Sequence, residues 1–155
     1  MDKIDPLNQV GEFHKTFNHP ILPNPQIPSE DRCKLRVSLI AEELEELKEA
    51  IADKDMVEIA DALCDIQYVL SGAVLEFGLG EKFKELFEEV QRSNMSKACA
   101  NEEEAKETVA YYKKERDTDA YYEERDGKWL VYRVGDNKTL KSVNYSPADL
   151  KRILG

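Results

Sequence analysis

The sequence predicts a mainly α fold, an antiparallel bundle of four to five helices with a small β-hairpin appended near the C-terminus. Three observations predict it. Apolar residues recur at helical spacing through the first two thirds of the chain, the prolines fall at the starts of those stretches or between them, and the aromatic run after residue 120 is split by the turn dipeptide Asp126-Gly127. With 155 residues, 41% of them hydrophobic, the chain can bury one respectable core and has little room for a second full domain.

The elements follow in order. Leu7, Val10, Phe13 and Phe17 recur at helical spacing behind Pro6, which suits a first turn, so a helix is predicted from Pro6 to Phe17. Four prolines between Pro20 and Pro28 exclude regular helix and predict an extended connection. Ser29 is the expected N-cap of a second helix to about Ala52, with Ile40, Leu44, Leu47 and Ile51 as its apolar stripe. A third, from Asp55 to Phe77, repeats that stripe with Ile59, Leu63, Ile66, Leu70 and Phe77, and Gly78 suits its C-terminal end. The fourth runs from Gly80 to Asn94 with Phe83, Leu86, Phe87 and Val90 on one side, and a charged fifth spans Asn101 to Glu115.

Beyond it, Tyr121 to Arg125 and Lys128 to Arg133 flank the turn dipeptide as a hairpin, with Trp129 and nearby tyrosines as its packing surface. A two-stranded hairpin is marginal alone, so it must dock on something. A last short helix, Pro147 to Leu154, is expected behind Ser146 as its cap. Composition thus divides the chain into a helical domain, 1–100, and a tail, 101–155, packed on the core or on a partner subunit.

Chemistry concentrates on helices two and three. Glu42, Glu43 and Glu46 border the first apolar stripe, and Glu58, Asp61 and Asp65 fall within a narrow arc of the next helix, so antiparallel pairing brings two acidic edges together. Glu42 to Glu49 alone reads as an ordinary charged helix face. Asp61 and Asp65 tip the balance, because Asp is a poor helix former and its charge beside an apolar edge is costly without a partner. Carboxylates without His or Cys favour a hard cation, Mg²⁺ or Mn²⁺. A di-iron centre of the Glu-x-x-His type is disfavoured, since His14 and His19 lie outside both segments.

Net charge and cysteines exclude other classes. At −10 the chain is a poor binder of nucleic-acid polymers or anionic membranes, and an anionic substrate needs a bridging cation. Cys33, Cys64 and Cys99 are odd in number and far apart, so neither a disulfide framework nor a zinc knuckle is expected. With no basic stretch followed by an apolar core at the start, and no membrane-length apolar run, a soluble cytoplasmic protein is expected. His14 on an amphipathic helix reads as structural, and Tyr68, Phe83 and Phe87 as core.

The pattern Glu-Glu-x-x-Glu at Glu42, Glu43 and Glu46, followed by Glu-x-x-Asp at Glu58 and Asp61, resembles the all-α nucleoside triphosphate pyrophosphohydrolases, the superfamily of MazG, the dimeric dUTPases and phosphoribosyl-ATP pyrophosphohydrolase. Glu12-Phe13-His14, His19-Pro20, Arg92 to Lys97 and Lys141 to Leu150 extend the likeness to a bacterial and phage subgroup. The resemblance implies an Mg²⁺-dependent enzyme that releases a nucleoside monophosphate and pyrophosphate. Glu43, Glu46, Glu58 and Asp61 are then the metal ligands, and Glu42 a ligand or water-orienting base. Arg92 and Lys97 would contact phosphate, and Asn94 base or ribose. The resemblance also implies a homodimer or homotetramer. Two alternatives stay open, a phosphoribosyl-ATP pyrophosphohydrolase and a non-catalytic helical oligomeric interaction module. Residues from Asn101 onward have no place in the minimal four-helix unit.

Overall fold

A computed structural model describes residues 4–155. Their elements are α1 (Pro6–Thr16), α2 (Glu30–Asp53), α3 (Met56–Glu76), a 3-10 turn (Gly80–Lys82), α4 (Phe83–Met95), α5 (Glu102–Arg116), β1 (Ala120–Arg125), β2 (Lys128–Arg133) and α6 (Leu150–Leu154). The fold is mainly helical with one small antiparallel sheet, as the sequence predicts. Packing divides the chain into two compact units, one ending at Lys84 and the other running from Glu85 to Gly155. The change in composition near residue 100 therefore falls inside the second unit.

In the first unit α2 and α3 are joined by Lys54 and Asp55 alone, which forces an antiparallel pair. Lys54 closes α2 in the left-handed conformation, and the Asp55 carboxylate caps α3 by accepting from the amides of Val57 (2.9 Å) and Glu58 (3.2 Å). Ser29 stands at the start of α2 as expected, but its hydroxyl makes no capping bond. The proline segment is pinned to the end of α3, where the amides of Leu22 and Gln26 donate to the carbonyls of Leu75 and Phe77 (both 3.1 Å). Gly78 turns the chain there at φ +69°, so close to that segment that an added Cβ would lie 1.9 Å from the Asn24 carbonyl oxygen.

The apolar stripes are only half covered. Ile40, Leu47, Ile59 and Ile66 are partly buried, whereas Leu44, Ile51, Leu63 and Leu70 remain exposed, because a helix pair buries one face of each stripe and α1 covers little more. Phe87 on α4, expected in the core, is 63% exposed, and its neighbour Leu86 takes the buried position.

In the second unit the hairpin docks on α5. Asp126 and Gly127 both have positive φ, as a two-residue turn of this hand requires. Cys99, Ala105, Val131 and Leu140 form the core, with Tyr122 and Trp129 packed against them. The outer edge of β2 is paired, by a bridge from Cys99 to Trp129 and another from Tyr132 to Thr139. The last helix is shorter than expected. Asp149 caps it, accepting from the Arg152 amide at 3.2 Å, while the Ser146 hydroxyl accepts instead from Arg92 at 3.0 Å. Among the described residues no single helix is long and apolar enough to cross a membrane.

Candidate functional site

The tight connection between α2 and α3 sets which residues face each other, because positions equally distant from the turn lie side by side. Glu43 on α2 is thereby brought to the α3 carboxylates. Its Oε2 is buried without a hydrogen-bond partner. Burial, and then the charges of Glu46, Asp65, Glu42 and Asp61, push its carboxyl above the ordinary range. The charges of Glu42, Glu46 and Asp61 thus all bear on the carboxyl whose Oε2 is buried.

Asp65 joins them and was absent from the ligand set implied by the resemblance. Its signal lay in the sequence, one helical turn beyond Asp61. Glu58 stands in the exposed first turn of α3 and is not among the charges acting on Glu43. Among the described residues no three His, Cys, Asp or Glu side chains are already converged about a point that would hold a metal ion. The donor set nonetheless suits one. Oxygen-only ligands match a hard divalent cation, and such a cation would relieve both the unpartnered Oε2 and the mutual repulsion.

One turn from these carboxylates along both helices, Leu39 and Val69 border a largely apolar cavity of about 370 Å³. Phe13, His19, Tyr68 and Arg32 also line it, with Phe13 stacked on His19 (ring centroids 5.7 Å apart) and edge-on to Tyr68 (5.6 Å). Tyr68, read from the sequence as core, is half-exposed on this wall because only one side of α3 meets α2. His14 is buried, with Nδ1 2.9 Å from the Pro20 carbonyl oxygen, and burial holds its pKa below the ordinary value. It joins α1 to the proline segment.

The remaining expected residues belong to the second unit. Arg92 is engaged there by the Glu89 carboxylate (2.8 Å), the Ser146 hydroxyl and the Pro147 carbonyl (both 3.0 Å). Lys97 donates to the side-chain carbonyl of Asn94 at 2.8 Å.

The region that holds the carboxylates, the aromatic cavity and most of α4 is also the region of likeness to known proteins. Residues 10–94 match the phosphoribosyl-ATP pyrophosphohydrolase family. The chain belongs to that family. Membership places it among pyrophosphohydrolases in general, and the match ends before α5, so the hairpin-bearing tail lies outside the family region. The chain is also 34% identical over 109 residues to the uncharacterized protein L479 of Acanthamoeba polyphaga mimivirus, covering 64% of this chain and 41% of the viral protein. It therefore spans less than half the length of that relative.

Proposed function

We propose that this protein is a metal-dependent nucleotide pyrophosphohydrolase that converts a nucleoside triphosphate to a nucleoside monophosphate and pyrophosphate. The observation that carries the proposal is the buried, unpartnered Glu43 Oε2 among four other carboxylates. Glu43, Glu46, Glu58 and Asp61 would hold Mg²⁺ or Mn²⁺, with Asp65 as a further oxygen ligand and the glutamate side chains turning inward to do so. The bound cation would neutralise phosphate charge and lower the pKa of water. Glu42 accepts the proton as water adds across the phosphoanhydride, and the pyrophosphate departs with the broken bond's electron pair. The aromatic cavity beside the carboxylates receives the base against Phe13 and Tyr68.

A phosphoribosyl-ATP substrate is supported equally by the family match. It would use the same carboxylates on a related phosphoanhydride. The exposed leucines of α2 and α3 favour a second copy of the chain over them, giving a homodimer or homotetramer. Three cysteines without a disulfide suit a reducing cytoplasm.

The test is pyrophosphate release from canonical and modified nucleoside triphosphates and from phosphoribosyl-ATP, with Mg²⁺, with Mn²⁺ and with chelator. Metal-dependent release that disappears in both Glu46→Gln and Asp61→Asn supports the proposal, and the preferred substrate separates the two enzyme readings. Tight metal binding with no turnover of any substrate would replace it with a non-catalytic oligomeric module.

A further inference from the structure

The second unit concentrates positive charge in an acidic protein. It carries thirteen lysines and arginines against fifteen aspartates and glutamates, whereas the whole chain stands at −10. Five of the thirteen, Lys97, Arg116, Arg133, Lys138 and Lys141, line one open cavity of about 510 Å³ together with Tyr112. Like charges gathered around a cavity repel one another, and an anion bound among them would relieve that repulsion.

Among the described residues the nearby carboxylates neutralise only Arg133 of these five. Asp119 and Asp117 pair with Lys113, at 2.9 and 3.6 Å, Glu115 pairs with Lys114 at 3.3 Å, and Asp136 pairs with Arg133. Among the described residues no carboxylate is paired with Arg116, Lys138 or Lys141. Lys97 has a neutral partner, the Asn94 amide.

Backbone bonds hold the cavity walls together. The Arg133 amide donates to the Lys138 carbonyl (2.9 Å), the Ser142 amide to the Lys97 carbonyl (3.1 Å), and the Lys141 amide to the Tyr112 phenol (3.2 Å). Rigid walls limit the ordering cost of binding. A second cavity of about 340 Å³ shares Tyr112, Arg116 and Lys141 with the first and adds Tyr111 and Tyr145. Lys141 Nζ stands 4.3 Å from the centre of the Tyr145 ring. A basic cavity thus opens onto a tyrosine-lined one across three common residues. All of these residues belong to the second unit.

We propose that these adjoining cavities bind a small phosphorylated ligand of the nucleotide class, with its phosphates at Arg116, Lys138 and Lys141 and its flat ring against the tyrosines. Both cavities fall in the size range of small-molecule sites, and the acidic remainder of the chain repels a long polyanion. Because the cations are supplied by protein, this binding needs no metal. It is therefore independent of the carboxylates of α2 and α3.

The experiment is calorimetric titration of the full chain with ATP and with inorganic triphosphate, in chelator, where metal-bridged binding is absent. ATP and triphosphate are expected to bind, and added salt to weaken both. The double variant Arg116→Ser/Lys138→Ser should lose affinity for both by at least about tenfold. Tyr145→Ala should weaken ATP but not triphosphate, and Glu46→Gln should change neither. Lys141→Gln, a single exposed change, provides a second route should the double variant melt early. Absence of binding in chelator, or unchanged affinity in folded variants, would overturn the site. So would a single-stranded oligonucleotide binding far more tightly than ATP through the same residues, since that would make the groove a nucleic-acid surface.

Discussion

The guanidinium of Arg36 on α2 donates to the Glu76 carboxylate at the end of α3, and both side chains are buried. Arg32, one turn earlier, holds the same carboxylate from the other side, its Nη2 donating at 3.0 Å. These bonds tie the α2–α3 pair at the end opposite its connecting turn, so the seam bearing the acidic cluster is fixed at both ends.

Removing Glu76 should cost more than the pair contributes, because Arg36 is then left buried with an uncompensated charge. Glu76→Ala is expected to destabilise the protein by about 3–5 kcal/mol, lowering Tm by roughly 10 °C. Burial alone would raise the Glu76 carboxyl, but the Arg32 and Arg36 guanidiniums outweigh it and hold the group below its ordinary range. Its stabilising contribution is therefore complete above the unfolded value of 4.5 and is lost as pH falls through the lower folded value. Thermal melts of wild type and Glu76→Gln should converge on acidification, and parallel curves would refute this linkage.

Glu43 has the opposite sign. Its carboxyl is raised by burial and by surrounding carboxylates, so the folded state prefers it protonated and loses stability as pH rises from the unfolded value through the folded one. In chelator at neutral pH, Glu43→Gln should raise Tm by about 2 °C or more, an increment of order 1 kcal/mol. Added Mg²⁺ or Mn²⁺ should stabilise the wild type and do so far less in the variant. A variant that melts lower in chelator would mean that Glu43 is a structural acceptor.

Why the acidic seam was legible and other features were not comes down to range. Helix spacing put Glu43 and Glu46 on one edge and Asp61 on another, and the two-residue connection at Lys54-Asp55 brings those edges together. The Asp126-Gly127 hairpin was legible for the same reason, since its turn chemistry is local. Glu76 gave no such signal, because its partners lie 40 and 44 residues away. Ser146 was misread as a cap since serine suits many bonds, and Arg92 of α4 takes its hydroxyl first. The exposure of Phe87 was hidden as well, because periodicity marks an apolar side without saying what covers it.

Gly78 tests the anchoring of the proline segment. Alanine there must adopt φ near +69° and place its Cβ against the Asn24 backbone, which cannot rotate away as a side chain can. Gly78→Ala is expected to cost at least about 2 kcal/mol, visible as a Tm fall of roughly 5 °C or more. Gly127→Ala, where an added Cβ meets nothing within 4 Å, should cost only the backbone strain of its turn. Equal losses in the two variants would show that the close approach to Asn24 is not what Gly78 supplies.

The proposed oligomer rests on exposed apolar residues of α2 and α3. Leu63→Glu puts a charge on that face without removing a core residue, since Leu63 is 52% exposed. Sedimentation should show a smaller species than the wild type, with helicity retained. An unchanged sedimentation coefficient would place any subunit interface elsewhere.

Asp65 gives the sharpest test of how the carboxylates work together, because its two possible roles predict opposite shifts in metal affinity. If Asp65 only adds negative charge beside Glu43, Asp65→Asn removes one source of repulsion, eases ionisation of Glu43 and leaves metal affinity the same or better. As a member of the coordinating set, its loss removes an oxygen ligand. Its place on α3 one turn after Asp61, half-buried and acting directly on the Glu43 carboxyl, favours the second role. We expect Asp65→Asn to weaken Mn²⁺ binding and to lower kcat/KM for pyrophosphate release, each by at least about tenfold, equivalent to roughly 1.4 kcal/mol. Glu49→Gln, an exposed change on α2 outside the set of charges acting on Glu43, should leave both quantities near wild type. Tighter Mn²⁺ binding in Asp65→Asn with activity intact would reduce Asp65 to a background charge and restrict the metal set to Glu43, Glu46, Glu58 and Asp61.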